Sequence, residues 1–249
     1  MMDTLRTKEN QPGHNGEDDN YLFFSSLELI DYFVNNLADK DIRTQTKRIL
    51  EMARVLMRKK DFKLEDIYSV LIMVRNIGLG SQIDEVFSLY FKEGNYPIRV
   101  FIQIADLEST ADVELEFSAY RGQKKYINNG KLFLSEGPFS QGVIIENYYH
   151  GSAIQPFSPL DQRLIDGDFK QAVRQCLENL KNTLESAGSS LNRVYSFMVY
   201  LKDLNALPEV EEIVGQYISN QGEILQDAIK IEQFKGNHNI EIACSAYLC

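Results

Sequence analysis

The sequence predicts an α+β protein built from two tandem copies of one domain, each a mixed β-sheet with two helices on one face. Two observations carry this reading. First, the chain matches itself at a constant offset of 127 residues. Asn20-Tyr21 falls on Asn147-Tyr148, Leu50-Glu51 on Leu177-Glu178, and Tyr68-Ser69 on Tyr195-Ser196. Val113-Glu114-Leu115 falls on Ile240-Glu241-Ile242, and Ser118-Ala119-Tyr120 on Ser245-Ala246-Tyr247. One ungapped offset held over about a hundred residues marks an internal duplication. Second, each half runs through the order β-α-β-α-β-β, with an extra hairpin strand at the start, which closes as a mixed sheet covered on one side by its two helices. With the join near Gly122, the copies span 19–122 and 123–249. Residues 1–18, dominated by Asn, Gln, Gly, Glu and Asp, are expected to form a disordered tail.

In the first copy the strand Tyr21 to Phe24 comes first, then a helix over Asp41 to Lys59 and an apolar strand, Ile67 to Val74. A second helix covers Ile83 to Phe91, and the strands Ile98 to Ala105 and Val113 to Tyr120 close the unit. The second copy opens with a short strand within Asn147 to Ile154. Its long helix keeps Phe169, Val173, Cys176, Leu177, Leu180 and Leu184 on one face at spacings of three and four. Asp168 is placed to cap that helix and Gly188 to stop it. VYSFMVYL (Val194 to Leu201) reads as a buried strand, Pro208 to Ser219 as a helix. The last strands lie around Ala228 to Ile231 and Ile240 to Tyr247, split by a turn at Lys235-Gly236-Asn237.

Composition narrows the class. Of 249 residues, 44% are apolar and 25% charged, which excludes collagen and coiled coil. No apolar run reaches the length of a membrane span, and Met1 to Gly16 carries no signal-peptide core, so a cytoplasmic protein is expected. The net charge of −10 argues against nonspecific binding to nucleic acid. Cys176, Cys244 and Cys249 have no metal spacing and cannot all pair, which fits a reducing compartment.

The segment GPFSQG (Gly137 to Gly142), the strand at Ser152, VYLKDLN (Val199 to Asn205) and the closing IEI (Ile240 to Ile242) resemble the Rid (YjgF-type) family of reactive-intermediate deaminases, also known as L-PSP endoribonucleases. The resemblance covers Asn20 to Cys249 in two copies. It implies a chorismate-mutase-like fold in each copy, pockets between neighbouring domains and assembly into trimers. It also implies hydrolysis of an imine or enamine, often derived from an amino acid, to a carbonyl compound and ammonia, with no metal or organic cofactor. Such a substrate bears a carboxylate that a guanidinium grips through two N–H bonds. Two assemblies fit two copies per chain: a homotrimer of chains, favoured because the sheets leave an apolar face for neighbours to cover, or one chain that pairs its own two copies; no membrane or nucleic-acid partner is expected.

Carried over residue by residue, the resemblance makes Arg99 the carboxylate anchor, Glu114 the water-orienting glutamate and Ser25 a pocket serine. The second copy keeps Ser152 and Glu241 but has Gln226 at the arginine position and Phe139 where a tyrosine hydroxyl is expected. Asn205 falls on an asparagine that reaches a neighbour's pocket, where the first copy has Gly78. A degenerate second pocket of Phe139, Ser152, Asn205, Gln226 and Glu241 follows.

Plainer readings stand beside these. Arg99 alone reads as a solvated strand-start arginine, Ser25 and Ser152 as partners of backbone groups, Asn205 as a turn former. His14 and His238 are expected in solvent, and His150 has no serine or cysteine motif beside it for a triad. Cys176 belongs in the core. The run Arg54, Arg58, Lys59, Lys60 and Lys63 reads as a wet helix face, and Gly78-Leu79-Gly80 is too short for a phosphate cradle. Two function classes remain open: a deaminase working at Arg99, or a non-catalytic binding module. The module would be similar to the tandem region of some eukaryotic diphthine–ammonia ligases, without their ATP-dependent step. The endoribonuclease label fits the acidic charge poorly.

Overall fold

A computed structural model describes residues 19–30, 40–128, 137–161, 163–218 and 225–249; the expected tail at 1–18 lies outside the described residues. In the first copy, β1 (Tyr21–Ser25) and the short helix α1 (Ser26–Ile30) precede α2 (Ile42–Lys59) and β2 (Ile67–Val74). Then come α3 (Gly80–Tyr90), β3 (Ile98–Gln103) and β4 (Val113–Tyr120). The second copy is entered through β5 (Lys124–Ile127), a hairpin of β6 (Gly142–Ile145) and β7 (Tyr148–Gly151), and the small ribbon β8 (Phe157–Ser158) and β9 (Arg163–Leu164). It continues as α4 (Phe169–Ala187), β10 (Val194–Leu201), α5 (Leu207–Tyr217), β11 (Leu225–Lys230), β12 (Gln233–Phe234) and β13 (Ile240–Tyr247). The architecture is α+β with mixed sheets, as the sequence predicts.

The duplication reaches down to hydrogen-bond register. Parallel pairing sets Val70 opposite Arg99 in one copy and Phe197 opposite Gln226 in the other. Each central antiparallel pair carries an irregularity at the same place, between Ile67 and Ser69 in β2 and between Val194 and Ser196 in β10. Asp41 and Asp168 both cap the helices that follow, accepting from Arg43 and Thr44 N–H at 3.1 and 3.2 Å and from Gln171 N–H at 3.1 Å. On α2, Ile42, Ile49, Leu50, Ala53 and Met57 are buried against Val70, Ile72, Leu115 and Phe117 of their sheet. On α4 the buried stripe is Val173, Cys176, Leu177, Leu180 and Leu184, against Phe197, Val199 and Ile242. Each copy thus has its own core between helices and sheet.

Gly188 ends α4 in the left-handed region at φ 81. A side chain there is strained by its own backbone, so Gly188→Ala is expected to lower stability by about 1–2 kcal/mol. Urea titration checks this, and an unchanged midpoint rejects it.

Several boundaries differ from the sequence reading. The second helix of the first copy starts at Gly80, not Ile83, because Asn76 accepts from Gly78 N–H at 3.0 Å and starts a 3-10 turn that runs into it. The strand expected within Asn147 to Ile154 is β7, paired with β6 as the extra hairpin strand at the start, and β12 is an element that the sequence pattern does not signal. His238 is a correction: it is fully buried, with its ring stacked on Phe234 at 4.6 Å. Gly236, at φ 148, lets the turn fold back so closely that a Cβ there would meet His238 Nδ1 at 3.0 Å.

The two copies pair within one chain. A third core lies between their sheets and joins Met73, Ile102 and Leu107 to Ala153, Tyr200, Ile231, Phe234 and Ala243. β12 extends the first sheet by pairing with β3, Phe234 opposite Ile102.

Candidate functional site

β3 is the strand on which the copies meet. At its far end it holds β12, and at its start it is stitched to the segment around β6 and β7. Ser140 N–H donates to Pro97 O at 3.1 Å, and Ala153 N–H to Arg99 O at 3.2 Å. Ser152 Oγ accepts from Arg99 N–H at 2.8 Å and donates to Ser140 O at 2.6 Å. Ser152 is therefore a backbone partner at the seam. Phe139 and Ser152, expected in a pocket of the second copy, stand at Arg99 of the first.

Arg99 is 8% exposed despite its charge. Burial of a guanidinium calls for a counter-charge and for hydrogen bonds. Asp84 on α3 supplies both, accepting from Arg99 Nη1, and Lys235 of the second copy donates to its other oxygen at 2.6 Å. The rings of Phe139 and Phe101 lie 4.5 and 5.3 Å from the guanidinium carbon. At Gly137, φ 147, an added Cβ would come within 2.8 Å of Arg99 Nη2, so a larger residue there would collide with the buried cation. Beside this cluster opens a cavity of about 540 Å³ lined by both copies: Ser81, Asp84, Glu85, Ser88, Glu93 and Tyr96 from the first, with Gly137, Pro138 and Lys235 from the second.

The other expected site residues lie elsewhere. Glu114 is 1% exposed, and Val113 and Leu115 on either side of it face the helix-side core. Phe101 faces that core as well, and alternation places Arg99 with Phe101. Arg99 and Glu114 thus occupy opposite faces of the sheet. Glu114 Oε1 accepts from Ser109 N–H at 2.5 Å, and its Oε2 is buried without a hydrogen-bond partner among the described residues. Ser25, on β1, lies opposite Glu116 of β4 and three strands from β3, roughly 14 Å at ordinary strand spacing. Glu241 is buried and bound by His238 Nε2 at 2.8 Å. Asn205 is exposed in the turn before α5, where its backbone N–H and Nδ2 both donate to Asp203 Oδ1 at 3.0 and 2.9 Å. Gln226 lies in β11 opposite Phe197.

Asp84 and Lys235 are the functional candidates that sequence reasoning missed. Asp84 sits in a polar helix stretch with nothing to set it apart, and Lys235 sits in a turn. Their only sequence signal is that a buried arginine requires a partner. Among the described residues no group of three or more His, Cys, Asp or Glu is placed to hold a metal ion, and no helix is long and apolar enough to cross a membrane.

Comparison with known proteins agrees with the duplication. The endoribonuclease L-PSP family model matches residues 19–121 and again 131–248. A RutC family protein of Pyrococcus horikoshii is 34% identical over 111 residues, spanning 45% of this chain and 87% of that protein. The human 2-iminobutanoate/2-iminopropanoate deaminase is 28% identical over 97 residues, 39% of this chain and 71% of its own length. The crystal structure of a chorismatase matches 92% of this chain and 75% of its own, with a TM-score of 0.70 at 13% identity, a likeness of fold alone.

Proposed function

The chain belongs to the endoribonuclease L-PSP (Rid) family, and on that premise we propose that the cavity beside Arg99 hydrolyses reactive imines or enamines to a carbonyl compound and ammonia. One observation carries the reading. Arg99 of the first copy meets Gly137, Phe139, Ser140 and Ser152 of the second, so a single chain holds an inter-domain pocket of the kind the family resemblance implies. Relatives at 27 to 31% identity are 2-iminobutanoate/2-iminopropanoate deaminases.

The chemistry needs no redox partner. Water adds through oxygen to the imine carbon while the C=N π electrons take up a proton at nitrogen. The carbinolamine then loses a proton from oxygen as the C–N bond breaks and ammonia leaves. Ser81, Ser88 and Tyr96 supply hydroxyls that hold the water, and Glu93 at the rim supplies a carboxylate to orient it. Glu114 faces away from this cavity, so the water-orienting role implied for it passes here to the rim. Lys235 on the cavity wall supplies an N–H donor to the nitrogen as its π electrons collect there, while Arg99 holds Asp84 in place behind it.

The test is ammonia release from imines generated in situ by amino-acid or amine oxidases. Purified protein is expected to accelerate release at least ten-fold for one imine class. Equal rates with and without protein, across both classes, reject the enzyme reading. The second reading, a non-catalytic tandem binding module, is favoured by a specific observation: Asp84 already answers the charge of Arg99.

A further inference from the structure

We propose that Asp84 is a built-in carboxylate that occupies the guanidinium of Arg99 and sets the substrate class of the cavity as imines without a carboxylate. The inference rests on the reading of the cavity as an imine site and narrows what enters it.

Four observations place Asp84 where a substrate carboxylate would otherwise bind. Its two oxygens are divided between the two cations of the seam, Arg99 on Oδ1 and Lys235 on Oδ2. Both ions of the inner pair are largely removed from water, with side chains 7% and 13% exposed. Phe139 and Phe101 cover the guanidinium, and Gly137 closes on its Nη2 edge. Among the described residues the cavity outside is lined by Asp84, by Glu93 and by Glu85, which is itself paired with Arg43 at 2.8 Å, with Lys235 as the cation.

An incoming carboxylate must therefore displace Asp84 and pass Glu93 at the rim to do so. A carboxylate fixed on α3 competes at an effective concentration on the order of millimolar or more, so a dilute ligand loses the exchange. Repulsion from Glu93 adds a smaller, solvent-screened contribution. A neutral imine, or one bearing a second amine, meets no such penalty. Its Schiff-base nitrogen finds hydroxyls and carboxylates as partners, which suits products of primary-amine oxidation. The reaction supplying this substrate is then oxidation of an amine, in place of oxidation of an amino acid.

The experiment compares the wild type with Asp84→Asn and Asp84→Glu. The carboxylate probe is 2-oxobutanoate, read by calorimetry and by thermal shift. The rate probes are 2-iminobutanoate and the imine formed by oxidising benzylamine. Asp84→Asn is expected to bind 2-oxobutanoate roughly 10- to 100-fold more tightly than the wild type, the range for a charge-assisted pair. Asp84→Glu, which keeps a capping carboxylate, is expected to return to wild-type weakness. The wild type should hydrolyse the carboxylate-free imine at least ten-fold faster than 2-iminobutanoate, and Asp84→Asn should narrow or reverse that ratio.

Equal affinity of wild type and Asp84→Asn for 2-oxobutanoate overturns the inference, as does wild-type preference for 2-iminobutanoate. Should Asp84→Asn fold poorly, wild-type crystals soaked in 2-oxobutanoate decide the matter: the anion on Arg99 with Asp84 displaced overturns it, and Asp84 still seated on Arg99 supports it. If neither imine reacts faster than background while Asp84→Asn gains the anion, the catalytic reading fails and the capping role of Asp84 stands.

Discussion

Between pH 9 and 11 the protein is expected to lose its fold cooperatively. Burial raises the pKa of several groups that the unfolded chain would ionise. Tyr195 is pushed up to about 12, chiefly by burial, and Cys244 to about 12 for the same reason. Burial lifts Tyr149 and Cys176 well above their ordinary values and raises Tyr200 as well, with Glu241 and Glu116 adding to the effect on Tyr200. All are acids whose neutral form the fold favours. Their contribution is complete below the unfolded values of 9.0 for the thiols and 10.0 for the phenols, and is lost as pH rises toward the folded values. Over that window each group lowers stability by about 1.4 kcal/mol per pH unit. Together they reach roughly 5–10 kcal/mol by pH 11, comparable with the whole stability of a domain. Far-UV circular dichroism and urea midpoints from pH 8 to 12 check this. A midpoint at pH 11 equal to that at pH 8 rejects it.

Arg99→Ala is expected to be the most damaging single change at the seam. It leaves Asp84 buried with only the half-exposed Lys235, and it removes the cation packed against Phe139 and Phe101. Breaking a buried pair from one side costs about 3–5 kcal/mol, and the remaining lysine places this case near the lower end. For a chain of this size, a loss of about 3 kcal/mol lowers the melting temperature by roughly 6–12 °C. Ammonia release should fall with it under the proposed function, because Arg99 anchors Asp84 and packs on the Phe139 segment that forms the cavity wall. The double change Arg99→Ala with Asp84→Ala is expected to melt above Arg99→Ala alone, because no carboxylate is then stranded. An Arg99→Ala protein that melts with the wild type would show that the pair contributes nothing to the seam.

Local chemistry made most of the secondary structure legible. Asp168 and Gly188 bound α4 where capping and left-handed backbone require them, and the continuous apolar run Val194–Leu201 is a strand over those same residues. The extra hairpin strand expected at the start of the unit takes its bounds, Gly142–Ile145 in β6, from pairing with β5 and β7 on either side and not from the GPFSQG segment before it. His238 was misjudged for a related reason. Its neighbours Lys235, Gly236 and Asn237 are turn residues, while the ring's burial depends on Phe234 and on the sheet beneath.

The candidate site divides along the same line. Sequence singled out Arg99, Phe139 and Ser152 but could not join them, since Phe139 and Ser152 lie 40 and 53 positions along the chain from Arg99. That separation closes only when β3 lies against the β6–β7 segment. Conversely, Arg99 and Glu114 are close in the chain and belong together by resemblance, yet strand alternation sends them to opposite faces of the sheet.

By itself, the sequence determined the duplication, the helix and strand order, the helix-side cores and the family. All of these follow from local periodicity and from an offset that needs no knowledge of packing. Only the tertiary structure decided that the two copies share a seam, that Asp84 is held there between the two cations Arg99 and Lys235, and that Glu114 faces the other way. Those facts depend on which charges are removed from water together. Burial is a property of the packed sheets, and no stretch of chain specifies it alone.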